Sequence, residues 1–120
     1  MKRDMDLFRK VLLAVEAIPS VPHWVAITVD GYPQDEVAYH ARLALDAELI
    51  EAKFLPGTND FIVKRLTFAG HEFLDIARDD TRWQSAKEKV MSTAGTLTVE
   101  ALKTVLTFMV QAAVKATLAS

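Results

Sequence analysis

Between Leu49 and Thr67 the chain changes its hydrophobic period twice, and that double change leaves few folds open. Upstream, Val37, Ala41, Ala44, Leu45 and Leu49 recur at helical spacing. Two runs rich in β-branched and aromatic residues follow, Ile50 to Leu55 and Phe61 to Leu66, which is the composition of strands. Pro56-Gly57-Thr58-Asn59-Asp60 separates them and reads as a turn, because proline presets φ and glycine supplies the left-handed conformation. A new helix opens at Thr67. A helix that passes straight into a hairpin, and a hairpin that passes straight into a helix, predicts one small α+β unit around residues 32 to 74.

The segment before it fits that frame. Met5, Phe8, Val11, Leu12, Val15 and Ile18 form one apolar stripe of a helix over Asp4 to Ile18. Asp4 is its N-cap and Pro19 its stop. Lys2, Arg3, Arg9 and Lys10 make this end locally basic. Between Pro22 and Tyr32, the run His23 to Val29 reads as a short strand that ends in the Asp30-Gly31 turn. The helix from Pro33 to Glu48 has Pro at an early position and Asp35-Glu36 in its first turn. Its inward stripe is Val37, Ala41, Ala44 and Leu45. Its outward stripe is Asp35, Tyr39, Arg42 and Asp46, with Glu36 and His40 on the flank.

In the hairpin, Ile62 and Leu66 share a face with Lys64 if alternation is strict. Either a bulge resets the register or the lysine snorkels. Thr67 caps the next helix, and Gly70 in its first turn permits close approach to a strand. Phe73, Leu74 and Ala77 face inward. Thr81 and Gln84 match a capping box, so a fresh helix is expected from there to about Met91, burying Trp83, Ala86, Val90 and Met91. Ser92 to Thr96 then breaks it, and Arg82 beside Asp79 and Asp80 reads as a surface ion pair. The last helix, Thr98 to about Ala119, has only a narrow polar stripe.

The expected fold class is therefore α+β: a winged-helix-like domain (helix, short strand, helix, β-hairpin wing, helix) over residues 1–78, with a helical extension over 79–120. The strings MKRDMDLFRKVLLAVE, GYPQDEVAYHARLALDAELIEA and RLTFAGHEFLDIARDDTRWQSAKEKV together resemble the bacterial and phage proteins grouped as domain-of-unknown-function family 2513. That resemblance spans most of residues 1 to 103. It implies a small winged-helix-like protein, frequent in phages and prophages, and supplies no catalytic residues. The pairing of Leu45 to Ile50 with Leu66 to Leu74 also looks like winged-helix regulators in general. Those carry Gly before the second leucine, where this chain has Glu48.

Function is bounded by what is missing. The 120 residues include no cysteine, which removes disulfides, thiolate metal sites and cysteine nucleophiles. His71, Asp75 and Asp79 follow at i, i+4 and i+8 on one helix face. A hydrated acidic surface accounts for them better than a metal, so no metal or cofactor is expected. No catalytic constellation is present, and an enzyme is not expected. The N-terminus lacks a secretory signal, and the expected location is the cytoplasm.

Two binding classes remain. The first is a DNA-binding regulator using Arg9, Lys10, Gln34, Tyr39, His40, Arg42, Lys53, Lys64 and Arg65. Against it stand the formal net charge of -2 and the acidic residues Asp35, Glu36, Asp46 and Glu48 on the central helix. The second is a protein-interaction module that keeps the frame and binds a protein partner instead. In either class the last helix suggests a homodimer. Leu102, Val105, Leu106, Met109, Ala113 and Ala116 run along one side, with Ala101, Phe108, Ala112 and Ala119 beside it. Lys103 and Lys115 interrupt it too regularly for a membrane span.

Overall fold

The computed structural model describes residues 1–19 and 23–119. Among them the chain is α+β, with five helices and one two-stranded antiparallel sheet. The elements are α1 (Met5–Glu16), α2 (Gln34–Asp46), β1 (Ile50–Phe54), β2 (Phe61–Leu66), α3 (Phe68–Ala77), α4 (Asp80–Ala94) and α5 (Val99–Ala119). Two units, Met1–Leu74 and Asp75–Ser120, hold their contacts mainly within themselves, and the boundary between them falls inside α3.

In the first unit, α1 starts where Asp4 accepts hydrogen bonds from the amides of Asp6 (2.9 Å) and Leu7 (3.2 Å), satisfying two orphan donors of the first turn. Its stripe Met5, Phe8, Val11, Leu12 and Val15 is buried, as is Leu7; Ile18, beyond the helix end, is half-buried. α1 packs on α2 and on β2. The Phe8 and Phe73 rings meet edge to face, centroids 6.2 Å apart, which ties α3 into the same core.

The segment from His23 to Tyr32 departs from the strand expected between Pro22 and Tyr32. Pro22 itself lies outside the described residues. From His23 on, only Val25 pairs, exchanging both backbone hydrogen bonds with Val63 at 2.9 and 2.8 Å. The cause lies in β2. Ile50 pairs with Leu66 and Glu51 with Arg65, but Ala52 pairs with Val63, so Lys64 is an extra residue. This is a β-bulge immediately beside the one bridge, and it bends the edge on which a third strand would have to continue. The bulge also answers the alternation problem. Val63 and Leu66 are both buried, while Lys64 and Arg65 are both exposed.

α2 leaves through a Schellman motif. The amide of Leu49 donates to the Ala44 carbonyl and that of Glu48 to the Leu45 carbonyl, each at 2.9 Å. The residue at the turning point is Glu48, at φ +62°, the one non-glycine with positive φ among the described residues. Its side chain is exposed. Replacing it removes strain and no buried contact, so Glu48→Gly is expected to raise stability by about 1 kcal/mol. A urea melt checks this. A midpoint at or below that of the parent protein would show that the carboxylate earns its place by some other contact.

In the second unit, α4 and α5 pack on one another; Trp83, Ala86 and Val90 of the first and Leu102 and Leu106 of the second are buried. The cap of α4 is Asp79, which accepts from the Arg82 amide at 2.8 Å, rather than the expected Thr81. Asp79 meets that amide with a full carboxylate charge at the positive end of the dipole, which leaves Thr81 inside the first turn. The helix continues past Met91, which is 47% exposed rather than buried, to Ala94. There Gly95 at φ +74° closes it. At this corner Arg78 forms an ion pair with Asp75 (3.0 Å). α5 is long and apolar enough to cross a membrane by length and composition.

Candidate nucleic-acid interface

The nine residues expected to face nucleic acid divide sharply once placed. His40, expected on the exposed flank of α2, is 1% exposed. Its Nε2 accepts from the Asp4 amide at 2.8 Å, and its Nδ1 lies 2.8 Å from the Glu36 carbonyl, to which it donates. Acceptance at Nε2 fixes the neutral tautomer with the proton on Nδ1. Both ring nitrogens are used inside the fold, so His40 is a strut between α1 and α2. Tyr39 is half-buried and sets its ring edge to face with His40, centroids 5.5 Å apart. Gln34 donates from Nε2 to the Ile27 carbonyl at 3.2 Å, pinning the loop that precedes α2. Arg9 is half-buried on α1. The outer face of α2 thus loses most of its expected hydrogen-bonding groups and keeps Asp35 and Asp46 exposed.

Four of the five remaining cations share one arrangement: Lys10, Arg42, Lys53 and Lys64 each lie over an aromatic ring. Lys10 Nζ is 5.2 Å from the Tyr32 centroid. The Arg42 guanidinium is 4.1 Å from Phe54, which itself stacks on Phe61 with centroids 5.0 Å apart. Lys53 Nζ and Lys64 Nζ lie 4.3 and 5.7 Å from the same ring, Trp24. Such contacts contribute about 0.5–1 kcal/mol each at exposed sites. Their larger effect is positional, because they limit where flexible side chains carry their charge.

The hairpin explains how the Trp24 cluster forms. Lys53 pairs with Ile62 on the outer side of the sheet, and Lys64, two residues beyond Ile62, alternates to that side as well. The bridge at Val25 lays the preceding Trp24 beside them. Arg65 is next along β2, with Nη2 3.0 Å from Glu51 Oε1 and Nη1 donating to the Leu66 carbonyl at 3.0 Å. Both partners of that pair are well exposed, and an exposed pair contributes only about 0–1 kcal/mol, so it offers little resistance to a competing anion. Sequence reasoning had Lys53, Lys64 and Arg65 but missed Trp24. The available signal was a tryptophan in the β-rich run ahead of a hairpin that carries lysines on both strands.

Among the described residues, no group of three or more His, Asp or Glu side chains converges as a metal site. Asp75 pairs with Arg78, and Asp79 caps α4.

The family described as Hypothetical protein (DUF2513) matches residues 2–96. A protein of Haemophilus influenzae (strain Rd), described as an uncharacterized protein, is 36% identical over 108 residues, covering 88% of this chain and 92% of its own. No solved structure matches the chain.

Proposed function

We propose that this chain, which belongs to the DUF2513 family, is a winged-helix-like regulator that holds duplex DNA chiefly by its wing. The observation that carries this reading is the pair Lys53 and Lys64, on opposite strands of the hairpin, held over one tryptophan ring. Two ammonium groups fixed at one place suit the phosphate backbone, which supplies most of the sequence-independent affinity of DNA-binding proteins. Arg65 extends the basic edge. The order α2, hairpin, α3 and the bridge from Val25 onto β2 support the winged-helix-like reading, in which the helix before α2 is shortened to a loop. α2 then serves as a spacer more than a reading head, since Gln34 and His40 are engaged internally. Such a protein works without catalytic residues or cofactors, in the cytoplasm of a bacterium or in the service of a prophage.

Fluorescence anisotropy with a labelled mixed-sequence duplex tests the reading. Lys53→Ala with Lys64→Ala should weaken binding by about tenfold at moderate salt and reduce the slope of log affinity against log salt by about 2. Trp24→Leu, which removes the ring but neither charge, should lose less affinity than the double alanine variant. A parent protein that binds no duplex even at low salt would end the regulator reading.

A second reading has its own support. The exposed face of α2 carries Asp35 and Asp46. Such a face suits a basic protein partner, and it would make this a protein-interaction module on the same frame. Loss of a captured protein on Asp35→Lys with Asp46→Lys, with no effect of the wing variants, would select it.

A further inference from the structure

Leu102 and Leu106 are buried on one side of α5, which packs on α4, yet the helix remains apolar elsewhere. On another side Ala101, Val105, Phe108, Ala112, Lys115 and Ala119 recur at steps of 4, 3, 4, 3 and 4 residues. This is the a/d spacing of a coiled-coil seam, sustained for about 27 Å of helix. Its central residue, Phe108, is 72% exposed. Glu100, Lys103, Thr104 and Gln111 are also exposed along α5, so the helix is not apolar all round as a lipid-embedded one would be.

We infer that this seam receives α5 of a second copy of the chain, in antiparallel orientation, with the two-fold axis near Phe108. Charge selects both the partner and the direction. Glu100 and Lys115 lie on the same flank of the seam, and the midpoint between them falls beside Phe108. An antiparallel pair centred there sets Lys115 opposite Ala101 of the partner subunit, whose methyl leaves room for the lysine stem. The ammonium then reaches the partner subunit's Glu100. The two-fold repeats this ion pair at the other end. A parallel pair would instead set each charge against its own kind. The two-fold dimer is also the commonest way in which a chain covers such a patch with itself. The inference is independent of the nucleic-acid reading.

Sedimentation equilibrium of the full chain at tens of micromolar tests it, with circular dichroism to check that each variant folds. The parent chain should sediment as a dimer. Phe108→Glu, at an exposed position, should keep its helix content and weaken dimerisation by about tenfold or more. Glu100→Lys and Lys115→Glu should each weaken it, and the double variant should recover most of the loss. A monomeric parent chain overturns the inference, as does a dimer indifferent to Phe108→Glu. Single variants that weaken the dimer without recovery in the double overturn the antiparallel register. A parent chain that floats as a monomer with phosphatidylglycerol vesicles would show that lipid covers the seam.

Discussion

Gly70→Ala is expected to destabilise the protein by about 3 kcal/mol or more, although the same change in an ordinary exposed helix adds up to about 1 kcal/mol. The sign reverses because of what Gly70 faces. A Cβ at this position would overlap the Leu49 carbonyl oxygen and come within 3.0 Å of its carbon and 3.3 Å of the Leu66 Cβ. None of these is the tip of a flexible side chain. Leu49 is held where it is by the Schellman exit of α2, and its carbonyl accepts the Thr67 amide at 2.9 Å. Thr67 fixes the same junction from the other side. Its hydroxyl donates to the Glu48 carbonyl at 2.7 Å and accepts from the Gly70 amide at 3.0 Å. To admit a methyl group, α3 must move away from β1 and carry Phe73 and Leu74 with it, both of them buried. Thermal melting should show a drop of about 10 °C. A melting temperature equal to that of the parent protein would mean that α3 can shift at no cost, and the close packing at Gly70 would not be a constraint.

The same junction shows what the sequence made legible. Glycine in the first turn of a helix that follows a strand announces close approach, and the structure places Gly70 against Leu49. Glu48, standing where winged-helix regulators carry glycine, put the usual helix-to-strand turn in doubt, yet the chain keeps a left-handed residue there, with Glu48 at φ +62°. The bounds of β2 were readable because Asp60 and Thr67 punctuate a run of β-formers. What stayed hidden depends on neighbours far along the chain. The run His23 to Val29 has strand composition but pairs only at Val25, because a bulge some forty residues later bends the edge it needs. The two caps available to α4 are both good by residue type, and only the backbone geometry chooses Asp79. The Trp24 cluster was hidden for the same kind of reason, since only the bridge from Val25 to Val63 brings Trp24 beside Lys64.

His40 is the sharpest case, and its replacement is the second large effect. On a helical wheel it lies one step off the stripe of Val37, Ala41 and Ala44, so it reads as a flank residue. It is buried because the N-terminus of α1 crosses there and offers the Asp4 amide, which a wheel drawn for α2 alone cannot show. His40→Ala removes the acceptor of that amide and empties the ring volume. A part-buried donor left without a partner costs about 1–3 kcal/mol, and the cavity adds to this, so a loss of about 3 kcal/mol is expected. His40→Phe separates the two contributions, since it keeps a ring in the space but ends both hydrogen bonds. It should lose about half as much. Nucleic-acid affinity, measured where both variants are fully folded, should match that of the parent protein, because a strut between α1 and α2 touches no phosphate. The opposite pattern, full stability with binding abolished, would put the imidazole at the surface and return α2 to the role of reading helix.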